Sequence, residues 1–347
     1  MLIPIAAVVL LVALIVGYPR SGRFAWSYQR TYPAKAYVTQ SGGYLAVAGE
    51  DGGAMLLDAA TGYPVWPKEL RCTQGFTAPP LVSSGIVYLV SDDARVHAIS
   101  QRTGERLWEV QTEGAIRVRP AVAGGFLVIG SDDGRLYALR RTDGSEVWRC
   151  DLWSSVSGAP AVFGGMIVCG TVDGRITGVA LETGECKWQV AASAPIMAPV
   201  VMASGFAIAC SDDGSATFLS PITGQVSLRM FTNGAIRAAP ITDGATALCA
   251  STSGDVVAVA LADSKAAWVL DEGQPLVGGP VLCGRQIVYA LGDGSIVARE
   301  LATGRHRWTR SARGEVGRNL ACDGRDVFAP LAGGRVVALR MPGGGAR

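Results

Sequence analysis

Histidine is almost missing from this chain: His97 and His306 are the only two in 347 residues. The eight cysteines, at 72, 150, 169, 186, 210, 249, 283 and 322, contain no C-x-x-C pair. A Cys/His zinc site therefore has little to work with, and the usual zinc spacings are absent. Charge is scarce as well. Only 17% of residues are charged and the formal net charge is +2, without the concentrated basic surface that nucleic-acid binding shows. No Gly-rich phosphate loop, G-x-S-x-G elbow or H-E-x-x-H helix occurs, which removes the commonest signs of nucleotide binding, serine hydrolysis and zinc peptidase chemistry. Several cysteines fall inside apolar runs such as "MIVCG", "AIACS" and "TALCA", where a free thiol packs as a small hydrophobe. Adjacent repeats could bring Cys283 close to Cys322, and the sequence leaves that pairing open.

What is abundant points one way. The chain is 49% hydrophobic and carries 45 glycines, which suits many short apolar strands joined by glycine turns. Tryptophans stand at 26, 66, 108, 148, 188, 268 and 308, a period of about 40 residues, with Leu228 in the one vacant slot. Each unit has four β-rich runs bounded by Gly, Asp, Thr and Ser turns, as in "RPAVAGGFLVIGSDDGRLYALRRTDGSEVW". Unbroken apolar runs such as "FLVIG" imply sheets covered on both faces. The expected architecture is an all-β, eight-bladed β-propeller of four-stranded antiparallel blades. Trp26, Trp66, Trp108, Trp148, Trp188, Trp268 and Trp308 are then expected to pack between blades, and the glycine after each threonine to supply a positive φ.

Eight acidic or glycine turns can be counted, but the eighth unit stops after its third strand at Val336 to Leu339. The missing strand is expected from the N-terminus, where "SGRFAW" at 21 to 26 repeats the spacing of "TGYPVW" and "TGERLW" with nothing strand-like before it. A strand donated this way closes the ring and removes two exposed edges, so a monomeric ring is expected.

The units resemble the pyrroloquinoline-quinone-type repeat propellers. The resemblance is carried by "AMLLDAATGYPVW", "VHAISQRTGERLW", "LYALRRTDGSEVW", "GVALETGECKW" and "VARELATGRHRW", and spans essentially residues 21 to 340. That family includes quinone-dependent dehydrogenases and also cofactor-free eight-bladed proteins of bacterial outer-membrane β-barrel assembly. Quinone enzymes of the family hold the cofactor beneath a disulfide between adjacent cysteines, and no two cysteines here are neighbours. The assembly lipoproteins carry a lipid-modified cysteine after the signal peptide, whereas the first cysteine here is Cys72. The resemblance thus implies a non-catalytic interaction scaffold without cofactor, in the cell envelope; the alternative is a quinone-dependent oxidoreductase, with pyrroloquinoline quinone and calcium, or a ligand-binding sensor.

The N-terminus adds an expectation of its own. Residues 2 to 16 are apolar and uncharged, long enough to reach across most of a bilayer as a helix, and no A-x-A-like cleavage site precedes "PRSG". Residues 1–18 are read as a membrane signal-anchor, or a signal peptide, and 19–347 as the propeller. Arg20, Arg23 and Arg30 follow the run and would hold the propeller on the cytoplasmic side, while the family resemblance implies an extracytoplasmic, periplasmic home.

No catalytic set stands out. Asp92/Asp93, Asp132/Asp133, Asp173, Asp212/Asp213 and Asp293 recur at one blade position, where aspartate bonds its own turn. Residues that break the pattern lie in the loops entering the innermost strands. "TEGAIRVRP" and "TNGAIRAAP" put Arg117 and Arg237 at equivalent places, with Arg119 on the same strand face as Arg117; Arg313 and Arg318 occupy the corresponding loop of the last blade, with Glu113 and Glu315 beside them. These seven residues form a candidate funnel for an acidic segment or small anion; a solvated rim of internal Arg–Glu pairs is the other reading.

Overall fold

The computed structural model describes residues 24–32 and 34–342. These form 32 strands in eight four-stranded antiparallel sheets. Blade 3 shows the pattern, from the axis outward: Ala121–Ala123, Phe126–Gly130, Arg135–Arg140 and Glu146–Asp151. The two middle strands are buried along most of their length, because each sheet is covered by a neighbour on either side. This is why their sequences are apolar without alternation. Outer strands alternate instead, one face packing on the blade and the other meeting solvent, as Val226–Phe231 does. Blade 1 departs from the pattern: its outer strand is only Leu70–Arg71, since Pro64 and Pro67 in "TGYPVWPKEL" cannot donate to a ladder.

The tryptophans lock each blade to the next in a three-part joint. In blade 3, Trp148 pairs across the sheet with Ala138, just before a bulge at the next pair. Its indole N–H donates to the carbonyl of Leu181 in blade 4 at 2.8 Å. Its ring occupies the space where a side chain on Gly184 would lie: a Cβ built there falls 2.6 Å from the indole, on a residue with φ of +72°. The turn glycine is therefore needed both for its backbone and for its missing side chain. The small residue opposite is needed for the same steric reason, and at Gly178 even a methyl would collide with Trp188. Trp26, Trp66, Trp108, Trp188 and Trp268 repeat the bond to a carbonyl in the following blade. Trp308 donates to the side chain of Gln286 instead.

Blade 5 replaces all three parts together. Leu228 stands for tryptophan, the residue opposite it is Phe218 rather than alanine or glycine, and the facing turn carries Ser264 at φ +57° where Gly62, Gly104, Gly144, Gly184, Gly224 and Gly304 stand in other blades. Volume moves from one strand to the other, and Phe218 stacks edge-on against Phe206.

Ring closure follows the expected route with shifted bounds. The N-terminal strand is Phe24–Gln29, pairing antiparallel with Arg335–Arg340 of the last blade, Trp26 opposite Ala338 and Gln29 opposite Arg335. It runs three residues past the expected end because Tyr28 is buried like Trp26, and the Gln29 amide donates to the carbonyl of Gly333 at 2.9 Å. Residues 21 to 23 of the expected strand lie outside the described residues. So does the apolar run expected to cross a membrane; among the described residues no helix is long and apolar enough to do so.

Two further ties hold the closure. Arg30 is fully buried and bonds Asp51, the carbonyl of Gly53 and Glu69, in a network that Arg71 completes from the surface. A disulfide joins Cys283 to Cys322 across the inner strands of blades 7 and 8, which resolves the one cysteine pairing the sequence left open. The other six are free; Cys169, Cys210 and Cys249 are buried as expected of small hydrophobes, while Cys186 is exposed.

Six outcomes are expected in urea unfolding. Trp148→Ala should cost about 3–5 kcal/mol, and Gly184→Ala about 2 kcal/mol or more from clash and strained φ combined. Leu228→Trp alone should destabilise by overpacking against Phe218, about 1–3 kcal/mol, and the triple change with Phe218→Ala and Ser264→Gly should recover that loss. At the closure, Arg30→Ala should cost about 3 kcal/mol because it leaves the half-buried Asp51 and Glu69 with only the surface Arg71, and reduction of Cys283–Cys322 about 2–4 kcal/mol.

Candidate functional site

The inner strands of all eight blades converge on the ring axis around a cavity of about 690 Å³. Four of the seven funnel residues face it: Arg117, Arg119, Arg237 and Arg318. Its lining contains no aspartate or glutamate. Calcium, which is held by oxygen ligands and mainly carboxylates, finds no site on this surface, so the arrangement does not fit a quinone held with calcium. Among the described residues no group of three or more His, Cys, Asp or Glu is placed to hold a metal.

The four arginines differ in their partners. Arg117 is bound by Asp92 at 3.1 Å and Asp132 at 3.0 Å. Arg237 is held by both oxygens of Asp212, at 3.0 and 2.9 Å. These aspartates belong to the recurrent turns, so the turn carboxylates read as local structure also neutralise the mouth of the funnel. Burial pushes the Asp132 carboxyl up, with Arg117 pulling the other way. Arg318 sits by the hydroxyl of Tyr37, whose pKa burial raises. Arg119 has no carboxylate partner among the described residues: its Nε is buried without an acceptor, and burial alone depresses its pKa.

The remaining three are elsewhere. Glu113 bonds Arg135 and Arg149 on the third and outer strands of its own blade, because cross-strand pairing, not the axis, is within its reach. Arg313 lies over the ring of Phe24 at 5.7 Å. Glu315 lines a smaller cavity of about 150 Å³ with Lys35 and Arg318.

One constellation of polar side chains is not evident from the sequence pattern. Between blades 1 and 2, His97 Nδ1 lies 3.0 Å from Glu109 and its Nε2 lies 3.4 Å from the Ser91 hydroxyl, with Cys72 at 4.0 Å from the same ring. Its signal was the register: the turn at 103–104 sets His97 directly opposite Glu109. The geometry resembles a serine–histidine–carboxylate triad, but Ser91 is 0% and His97 2% exposed, so no substrate reaches the hydroxyl. The Ser91 hydroxyl is also committed to Asp93. Burial raises the Cys72 thiol to about 11, which keeps it protonated and unreactive at neutral pH. The cluster is a sealed polar joint.

Burial holds the His97 pKa below its usual 6.5, against the pull of Glu109 and Asp93. A depressed imidazole is neutral in the folded state, so as pH falls through 6.5 the unfolded chain takes up a proton that the folded one refuses. Folding stability should then fall, by up to about 1.4 kcal/mol per pH unit, down to the lowered folded value. Glu109, itself depressed by burial-opposed contacts to His97 and Arg106, adds its loss only below the usual carboxylate range. Urea midpoints between pH 7 and pH 5, with His97→Gln flattening the upper part, check this.

Comparison with known proteins places this ring among its relatives. The family model described as "Outer membrane protein assembly factor BamB" matches residues 15–119, 92–310 and 233–347. A curated protein of that name from Bordetella pertussis is 34% identical over 94 residues, which is 27% of this chain and 24% of that protein's length; the aligned stretch thus spans about a quarter of the relative. The crystal structure of BamB from Moraxella catarrhalis superposes with a TM-score of 0.77 at 17% identity, covering 91% of this chain and 98% of that one. A computationally designed protein, Ika8, does so with a TM-score of 0.79, also at 17% identity, over 90% and 98%. These two show the fold alone, but the family match runs through nearly the whole propeller, and the chain belongs to the outer membrane protein assembly factor BamB family.

Proposed function

We propose that this protein is a non-catalytic interaction scaffold for outer membrane protein assembly, working outside the cytoplasm. The observation that carries this is the family match from residue 15 to residue 347. The Cys283–Cys322 disulfide supports an oxidising compartment, against the arginines that follow the N-terminal apolar run. That run is read as the membrane attachment. The triad-like geometry at His97 is sealed from substrate, and the repeat resemblance alone supports the quinone-dependent reading, which a cavity lining without aspartate or glutamate does not favour.

The partner-facing surface is the one on which the loops entering the inner strands lie. Trp153 projects from it, 82% exposed on a residue with φ of +63°. Neighbouring residues of the loop are tied down: the Ser155 hydroxyl donates to the carbonyl of Asp132 at 2.9 Å. A rigidly based, exposed tryptophan is a typical interface anchor. Deleting the gene in its host should lower the level of outer-membrane β-barrel proteins, and normal levels would overturn the reading. Trp153→Ala should weaken binding to the assembly partner about tenfold or more while leaving the melting temperature unchanged.

A further inference from the structure

We propose that the axial cavity is a binding site for a small oxyanion, a carboxylate or phosphate group, with Arg119 as the residue that grips it. This goes beyond the scaffold reading and does not rest on it.

Among the described residues, Arg119 lacks an internal partner. Its neighbours at the mouth, Arg117 and Arg237, are each about 60% exposed and are still matched by aspartates. Arg119, deeper and largely withdrawn from water, has none, and its Nε faces no acceptor. A guanidinium held in this way has lost hydration that no internal charge offsets. An incoming anion would supply that missing counter-charge.

The space in front of it is open for a reason that the repeat makes visible. Arg119 precedes Pro120, and the corresponding residues before Pro160, Pro240 and Pro280 are Ala159, Ala239 and Gly279. All four line the cavity. Asn319, at the same place in blade 8, is turned to its neighbour: its side chain accepts from the Val38 N–H at 3.2 Å and donates to the Val38 carbonyl at 2.6 Å. The long cationic side chain thus shares its level of the ring with residues that leave the cavity free.

The lining is cationic, with its charge matched at the mouth but not at Arg119. Four arginines line about 690 Å³ without a carboxylate among the lining residues, and low-dielectric walls concentrate that potential along the axis. Arg117 and Arg237, partly neutralised at the mouth, would attract an anion, and the planar fork of Arg119 would hold its two oxygens side by side. The volume suits a small molecule bearing such a group as well as a free anion.

The test is thermal melting and titration calorimetry of the intact protein with inorganic phosphate and with citrate at millimolar concentration, against sodium chloride at equal ionic strength. The wild type should be stabilised by one or both beyond the chloride control; phosphate alone would assign a phosphate ligand, citrate alone a carboxylate, and both a general oxyanion site. Arg119→Gln should bind about tenfold more weakly or worse, the loss of a charge-assisted bond, and in anion-free buffer should melt no lower than wild type. Lys265→Gln, an equal charge change on the outer strand of blade 6, should bind as wild type does. Where the glutamine variant does not fold, Arg119→Lys keeps the charge, removes the fork and should still weaken binding. No response to either anion beyond chloride, or equal binding by the Arg119 variants, would overturn the proposal.

Discussion

The ring stands on the packing of one indole against a turn without a side chain. Trp148 against Gly184 shows the constraint: a bare turn, a small residue opposite, and a carbonyl for the indole N–H, all at once. Six of the tryptophans bond a carbonyl of the following blade, so rigidity passes around the circumference rather than through a central core. That leaves the axis hollow. A cavity can persist there because the stabilising contacts lie between blades and along the rim.

Blade 5 shows that the joint is a unit. Leu228, Phe218 and Ser264 change together because the volume removed from one strand must be restored on the other. The closure has a different logic. Its joint is formed by residues more than 300 apart, Gln29 and Gly333 among them, and it carries added ties, a buried Arg30 network and a disulfide one blade away. Contacts this distant in sequence close late and expose two edges until they form.

The candidate site is built from exceptions to the repeat. Where the turn aspartates only shape their own loops they recur, and where they also bind Arg117 or Arg237 they do so because those arginines replace residues such as Ser157 or Met197 at the matching place. Arg119 is the exception that nothing inside the protein explains, and an unmatched charge in a cavity is where a binding site is expected. The sealed His97 cluster is the converse, a set of chemically capable groups that packing has made inert.

The amino-acid sequence alone determined the blade count, the four-stranded unit, the place of the tryptophans and the donation of the closing strand, because each follows from a spacing of about 40 residues and from local turn chemistry. It placed Arg117, Arg119, Arg237 and Arg318 in loops and strands that line the axis, since the inner strand of every blade does so. It did not decide which of them are neutralised, that Glu113 turns to Arg135 and Arg149, or that Arg313 covers Phe24. Those outcomes depend on side-chain reach and burial across neighbouring strands and blades. The Cys283–Cys322 bond and the access to Ser91 were likewise decided only by tertiary structure, because both turn on separations of a few ångströms that a repeat period does not specify.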